Sequence, residues 1–194
     1  PVAKREPPPD MLAVPGGTFA MGTDTEGEQD ERPAHQVTIG DFFLDKTEVT
    51  NASYRECVEA KVCRRYKDDV AKAMKYGAEA AFRGPKQPVV GVSWDDAKKY
   101  CEWRDKRLPT EAEFERASRG ADGRKYVWGN EAPDAKRHGV FSSGVTEDVG
   151  SRPEGRGPYG HLDLSGNVWE WVADHYDPLA YKRATANKGV PGTC

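Results

Sequence analysis

At 194 residues the chain is long enough to bury a core, as one sizeable domain or two small ones. Its residues are 37% hydrophobic and 31% charged, with 20 Gly and 14 Pro. That describes a polar, loop-rich globule, and five Trp, eight Tyr and six Phe exclude a disordered chain. A net charge of −3 without a dense Lys/Arg tract removes the electrostatic basis for nucleic-acid binding, and no apolar run approaches the ~20 residues of a membrane-spanning helix.

Residues 1–10 (PVAKREPPPD) read as a proline-rich linker. With no initiator Met and no signal-type apolar core, the chain reads as a processed or excised piece of something longer. Residues 11–14 and 18–22, separated by Pro15-Gly16-Gly17, predict a hairpin of two short strands. An acidic, turn-prone surface loop follows, and then a strand region over 36–44 (QVTIGDFFL). Thr50 is placed to cap a helix from Asn51 to about Ala60, with Tyr54, Cys57 and Val58 on one face. Residues 63–84, rich in Lys, Asp and Ala, read as a surface excursion, at most a helix. Ser93 opens a capping box and a helix to about Asp105 that buries Trp94, Ala97 and Cys101. Thr110-Glu111-Ala112-Glu113 repeats the device, between Pro109 and Gly120. Loops dominate from there to Tyr159. The fold class is α+β with little regular structure. Such a chain loses much conformational entropy on folding, which bound metal or disulfides offset in part.

Cys57, Cys63, Cys101 and Cys194 permit three fully paired connectivities. A Cys57–Cys63 bridge requires the helix to end between them, because six helical positions span roughly 9 Å of rise. The even count points to an oxidising, extracytoplasmic compartment (periplasmic, secreted or cell-surface). Four free thiols in a reducing compartment is the other reading.

Residues 160–171 (GHLDLSGNVWEW) fit no simple period. Gly166 marks a turn, with Asp163 and Glu170 on either side of it. If the turn curls round a point, two carboxylates and the carbonyls near Gly166 and Val168 form an all-oxygen set suited to a hard cation such as Ca2+. The plainer reading is a tryptophan-rich core turn with Glu170 in solvent. Glu111, Glu113 and Glu115 read as helix-start acids that favour the dipole rather than as acid–base catalysts. No phosphate loop, H-E-x-x-H or G-x-S-x-G motif is present.

Seven collinear blocks carry a resemblance across most of residues 11–177. They are Val14-Pro15-Gly16-Gly17-Thr18-Phe19 with Met21-Gly22, Glu31-Arg32-Pro33-Ala34-His35, Lys46-Thr47-Glu48-Val49-Thr50-Asn51, Pro88-Val89-Val90-Gly91-Val92-Ser93-Trp94, residues 106–115 (KRLPTEAEFE), Trp128-Gly129-Asn130 and residues 160–171. Together they resemble the formylglycine-generating enzyme, or sulfatase-modifying factor, family. The resemblance implies one compact C-type-lectin-like domain over residues 11–194 with low secondary-structure content. It also implies a structural Ca2+ held by the side chains of Asp163 and Glu170 and the carbonyls of Gly166 and Val168. A second family Ca2+ site is not expected, because His138-Gly139-Val140 stands where its Asn would fall. Cys101 matches a structural cysteine.

The family's oxidases convert a sulfatase cysteine to formylglycine with O2 and a Cu(I)-binding cysteine pair, and soft thiolates suit that metal. The pair follows an Arg-Gly-Gly-Ser-Trp-type motif that does not occur up to Cys194, so the domain reads as C-terminally incomplete. Three classes follow from the resemblance. One is a non-catalytic module recognising a protein, peptide or glycan, with a partner chain or domain completing its fold. The second is the copper oxidase, with its cysteine segment lying beyond Cys194. The third, an iron-dependent sulfoxide synthase, is disfavoured, because His35, His138, His161 and His175 show no H-x-x-x-H pairing.

Overall fold

A computed structural model describes residues 6–25, 27–65 and 79–186. Most of the excursion expected at 63–84, and Cys194, lie outside the described residues. Four strands make two antiparallel ladders: β1 (Met11–Val14) with β4 (Phe42–Asp45), and β2 (Gly17–Met21) with β3 (His35–Ile39). Val14 faces Phe42 and Gly17 faces Ile39, so one register runs across the break between them. The hairpin expected within residues 11–22 is therefore wrong: β1 and β2 run on rather than fold back. Pro15 has no N–H to give a ladder, and Gly16 sends its N–H to the Asp41 carboxylate at 2.8 Å. A Cβ on Gly16 would lie 2.5 Å from the Gly40 carbonyl carbon. Pro15-Gly16-Gly17 thus interrupts a strand where the opposite strand comes too close for a side chain.

Three helices begin at the caps read from the sequence. Helix α1 (Asn51–Glu59) starts at Thr50, whose hydroxyl accepts the Ser53 N–H. Helices α2 (Trp94–Trp103) and α3 (Glu111–Arg119) open on reciprocal boxes, Ser93 with Asp96 and Thr110 with Glu113, and α3 ends at Gly120 with φ 66°. The face that α2 buries differs from expectation. Tyr100 and Asp96 are buried, whereas Trp94, Ala97 and Cys101 are half-buried. Tyr100 is turned toward α1, with its ring centroid 5.7 Å from that of Tyr54, and Asp96 is drawn inward by Arg64 and Ser93. A short helix α4 (Ala180–Ala186) has no clear sequence signal. It is placed by Tyr181, which sits edge-on to His35 at 4.9 Å and against Gly22.

The hydrophobic core gathers Tyr54, Cys57, Cys63 and Tyr100, with Val49, Val89 and Val92 packed around them. Helix α1 ends at Glu59, Lys61 takes φ 60°, and the Cys63 N–H returns to the Cys57 carbonyl at 3.3 Å. This turn brings the two Cα atoms to 5.3 Å, and the cysteines form a disulfide. Cys101 is a free thiol. No helix among the described residues is long and apolar enough to cross a membrane.

Candidate metal centre

The segment from Gly160 to Trp171 has no regular structure, so its shape depends on what anchors it. Leu162 donates to the Lys46 carbonyl at 2.9 Å and Asn167 to the Val140 carbonyl at 2.9 Å, and just beyond, Ala173 donates to Pro109 at 2.8 Å. Between these ties the backbone curls through Asp163 (φ 60°), Gly166 (φ 102°) and Asn167 (φ 55°). Only glycine fits at 166, where a Cβ would stand 2.9 Å from both the Val140 carbonyl and the Phe141 ring. The turn read from Gly166 is present, and it is tighter than the sequence suggested.

The four expected ligands fall in different environments. Asp163 is buried, and its Oδ2 accepts the Gly150 N–H at 2.5 Å. Gly166 and Val168 are half-buried, and among the described residues neither carbonyl accepts a hydrogen bond. Glu170 is exposed by area, in a wall shared by two clefts. A third acid, Glu48, joins them from the connection between β4 and α1. It is buried, with Oε2 accepting from the Asn167 amide at 2.9 Å and Oε1 without a partner. Nothing in the sequence around Glu48 marks this role, since its contact with Asn167 spans 119 residues.

The electrostatics are those of acids crowded together without a counter-charge. Loss of water pushes the Glu48 carboxyl up to about 9, and the charges of Asp163 and Glu170 add to the effect. Hydrogen bonds from the Asn167 amide and the Val168 N–H pull the other way. Protein on both sides of Glu170 lifts it to about 7, Asp163 and Asp45 contributing next. Burial also raises Asp163, against the Gly150 N–H and the more distant Arg152. Arg152 is already paired with Glu147 at 2.6 Å, and among the described residues no ion pair involves Glu48, Asp163 or Glu170. His161, fully buried beside them, is held neutral by its desolvation and supplies no positive charge.

A divalent cation would suit this arrangement, because such an ion compensates several carboxylates at once and takes carbonyl oxygens as further ligands. Among the described residues no three His, Cys, Asp or Glu side chains form a metal-holding group by themselves. Backbone oxygens would have to complete the shell, and the free carbonyls of Gly166 and Val168 meet that need. The donor set is all oxygen, which fits Ca2+ and does not fit Cu(I).

The same segment also faces outward. Trp169 is fully exposed, and Trp171 is half exposed with its indole N–H on the Val92 carbonyl at 3.1 Å. These tryptophans separate a cleft of about 610 Å³, walled by Val89, Val90, Val92 and Val140, from one of about 940 Å³ bounded by Phe42, Tyr100 and Trp103. The sulfur chemistry is elsewhere and quiet. Burial pushes the Cys101 thiol up to about 11, with Asp45 adding to it, so little thiolate exists at neutral pH.

Three comparisons place the chain among known proteins. The profile of the family described as "Sulfatase-modifying factor enzyme 1-like domain" matches residues 1–192. The chain is 37% identical over 213 residues to the bovine (Bos taurus) protein named "Inactive C-alpha-formylglycine-generating enzyme 2", covering 86% of this chain and 71% of that protein. It is 33% identical over 244 residues to the "Formylglycine-generating enzyme" of Streptomyces coelicolor, covering 94% and 74%. The solved structure of PvdO from Pseudomonas aeruginosa matches with a TM-score of 0.68 at 28% identity, over 87% of this chain and 71% of that one.

Proposed function

The chain belongs to the sulfatase-modifying factor enzyme 1-like domain family, and within it we propose a calcium-stabilised recognition module that is non-catalytic as this chain stands. It binds a protein, peptide or glycan surface at the clefts beside Trp169 and Trp171. The observation that carries this reading is the state of the described cysteines. Cys57 and Cys63 are tied to each other, and Cys101 is a lone, half-buried thiol held protonated. None offers the pair of free thiolates that Cu(I) requires. Likeness to a relative named inactive supports the same reading.

Ca2+ would be held by Asp163, Glu170 and the carbonyls of Gly166 and Val168. When bound, it supplies charge compensation to a bend that otherwise concentrates acids. The exposed tryptophans and the apolar wall of the smaller cleft supply the contact surface. The disulfide supports an extracytoplasmic location, where such bonds persist. The second reading, an oxidase that makes formylglycine with Cu and O2, is favoured by the 33% identity to the Streptomyces enzyme. It needs a thiol pair that the described residues do not supply.

Two measurements on the purified chain test the proposal. Chelation by EDTA is expected to lower Tm, with recovery in Ca2+ and not in Mg2+. At a hundredfold excess of ion over Kd the loss is about 2.7 kcal/mol, or roughly 5–10 °C for a domain of this size. Anaerobic Cu(I) titration should find no tight site. Identical melting curves with and without Ca2+ would remove the calcium reading. O2-dependent conversion of a cysteine peptide to formylglycine would establish the oxidase instead.

A further inference from the structure

We propose that Glu48 is the positioning carboxylate of the calcium-binding bend, clamping Asn167 from behind and adding a third negative charge to the site. The inference rests on the calcium reading above and extends it to a residue 115 or more positions upstream of the expected ligands.

The geometry comes first. Glu48 retains only 7% of its surface, in the connection that leads from β4 into α1. Its Oε2 accepts from the Asn167 side-chain amide at 2.9 Å, and the Val168 N–H favours the charged carboxylate. The amide of Asn167 is shared with the Glu147 carbonyl at 3.3 Å, and its Oδ1 accepts the Glu147 N–H at 3.1 Å. Asn167 therefore relays between Glu48 and residue 147, and it does so at the turn between the two carbonyls expected to ligate. With the Asn167 side chain held on both sides, the turn between the Gly166 and Val168 carbonyls has little freedom to rotate either of them away.

The second observation is Oε1, buried and without a hydrogen-bond partner. Neither protonation state satisfies this atom from among the described residues. As a carboxylate oxygen it lacks a donor, and as a carboxylic acid hydroxyl it lacks an acceptor. A buried polar atom left in this condition destabilises the fold. The charged groups that act most strongly on Glu48 are Asp163 and Glu170, the two expected side-chain ligands. No Lys or Arg among the described residues forms an ion pair with it. A cation held by the bend lies where it balances all three acids at once. Because no three acidic side chains form a metal-holding group here, Glu48 acts through the backbone and the field, outside the ligand shell.

The test is calcium affinity by isothermal titration, paired with melting in EDTA, for the wild-type chain and Glu48→Gln. Glutamine keeps the shape and an acceptor for Asn167 but removes the charge. The expected result is Ca2+ affinity weakened ten- to a hundredfold. In EDTA the variant should melt at or above the wild-type temperature, since an uncompensated acid is gone. A residue that merely packs would lower Tm equally with and without Ca2+, and that outcome would overturn the proposal. So would E48Q binding Ca2+ within twofold of wild type. If E48Q fails to fold, Glu48→Asp carries the test. Its charge remains but its reach is one methylene shorter, so affinity should fall severalfold, and unchanged affinity would refute the clamp. Wild-type protein that binds no Ca2+ would end the calcium reading itself, a failure distinct from a tight wild type and an equally tight E48Q.

Discussion

The face built on α1 and the bend from Gly160 to Trp171 each fix irregular chain, and they do it with opposite chemistry. Around α1 the fixed points are apolar and covalent: Tyr54 and Tyr100 in ring contact, and Cys57 joined to Cys63. At the bend they are oxygen atoms, three acids whose pKa values are all raised and which form no ion pair among the described residues. The first arrangement is complete within the chain. The second leaves an unsatisfied carboxylate oxygen inside the protein, and on the calcium proposal it is an ion that would stabilise it. That proposal divides the domain into loops held whatever the solvent contains and a bend whose hold depends on what the solvent supplies.

The largest expected effect tests the self-contained side. Tyr54 is 1% exposed and donates its hydroxyl to the Arg64 carbonyl at 2.9 Å. Tyr54→Ala removes an aromatic ring from the core and leaves a cavity, at a cost of about 3–5 kcal/mol. That is a large share of the total stability of an ordinary domain. Urea denaturation should show this loss to be the same with and without Ca2+. A loss that depended on calcium would mean the two regions are not separate.

The next effect in size concerns the disulfide. The bridge closes a loop with a sequence separation of 6. In the chain-entropy account so short a loop contributes about 2 kcal/mol. The double substitution Cys57→Ala with Cys63→Ala should cost that much in denaturant and leave the calcium isotherm unmoved. A weakened calcium isotherm in the double variant would show that the bridge also shapes the bend.

The same contrast governs what could be read in the sequence. Caps at Thr50, Ser93 and Thr110 were legible because a cap is a bargain between residues three apart. The Cys57–Cys63 bridge was legible as a condition, that the helix end between them, and Lys61 with φ 60° meets it. The expected hairpin fails because Pro15-Gly16-Gly17 carries turn residues, while the residues that β1 and β2 pair with lie 14 to 34 positions further along the chain. Nothing local distinguishes a turn from a break forced by Gly40 on the opposite strand. Helix α4 went unseen for a similar reason, being fixed by contacts of Tyr181 with His35 and Gly22 rather than by its own pattern. At the bend, Asp163 and Glu170 stood out as a pair about Gly166. Glu48 could not, because its part depends on a contact across 119 residues.

The smallest effect per step, and the one that separates the regions most cleanly, is the response to pH. On the α1 side burial alone would raise the Asp96 carboxyl, but hydrogen bonds from Arg64 and Ser93 together outweigh it and hold the group below its usual value. Such a group stabilises the fold above its unfolded pKa, and that contribution is lost as pH falls through the folded value. The bend has the opposite sign. Glu48, facing Asp163, Glu170 and the Asn167 amide, and Glu170, facing Asp163 and Asp45, titrate at about 9 and about 7 in the fold, above an ordinary 4.5. Their contribution is fully present below about 4.5 and is lost as pH rises through the folded values, because the folded state holds more protons than the unfolded one across that window. In EDTA, stability should therefore decline between about pH 5 and pH 9, by at most about 1.4 kcal/mol per pH unit for the buried Glu48 and by less for Glu170, whose exposure lets solvent screen it. Saturating Ca2+ favours the ionised acids and should flatten that decline. E48Q should remove the Glu48 share of the decline in EDTA and leave the part below about pH 7 that belongs to Glu170, while the acid-side loss from Asp96 persists in every condition. A wild-type profile in EDTA that is level from pH 5 to pH 9 would mean the bend's acids already have their counter-charge within the chain, and the division between the two regions would be gone.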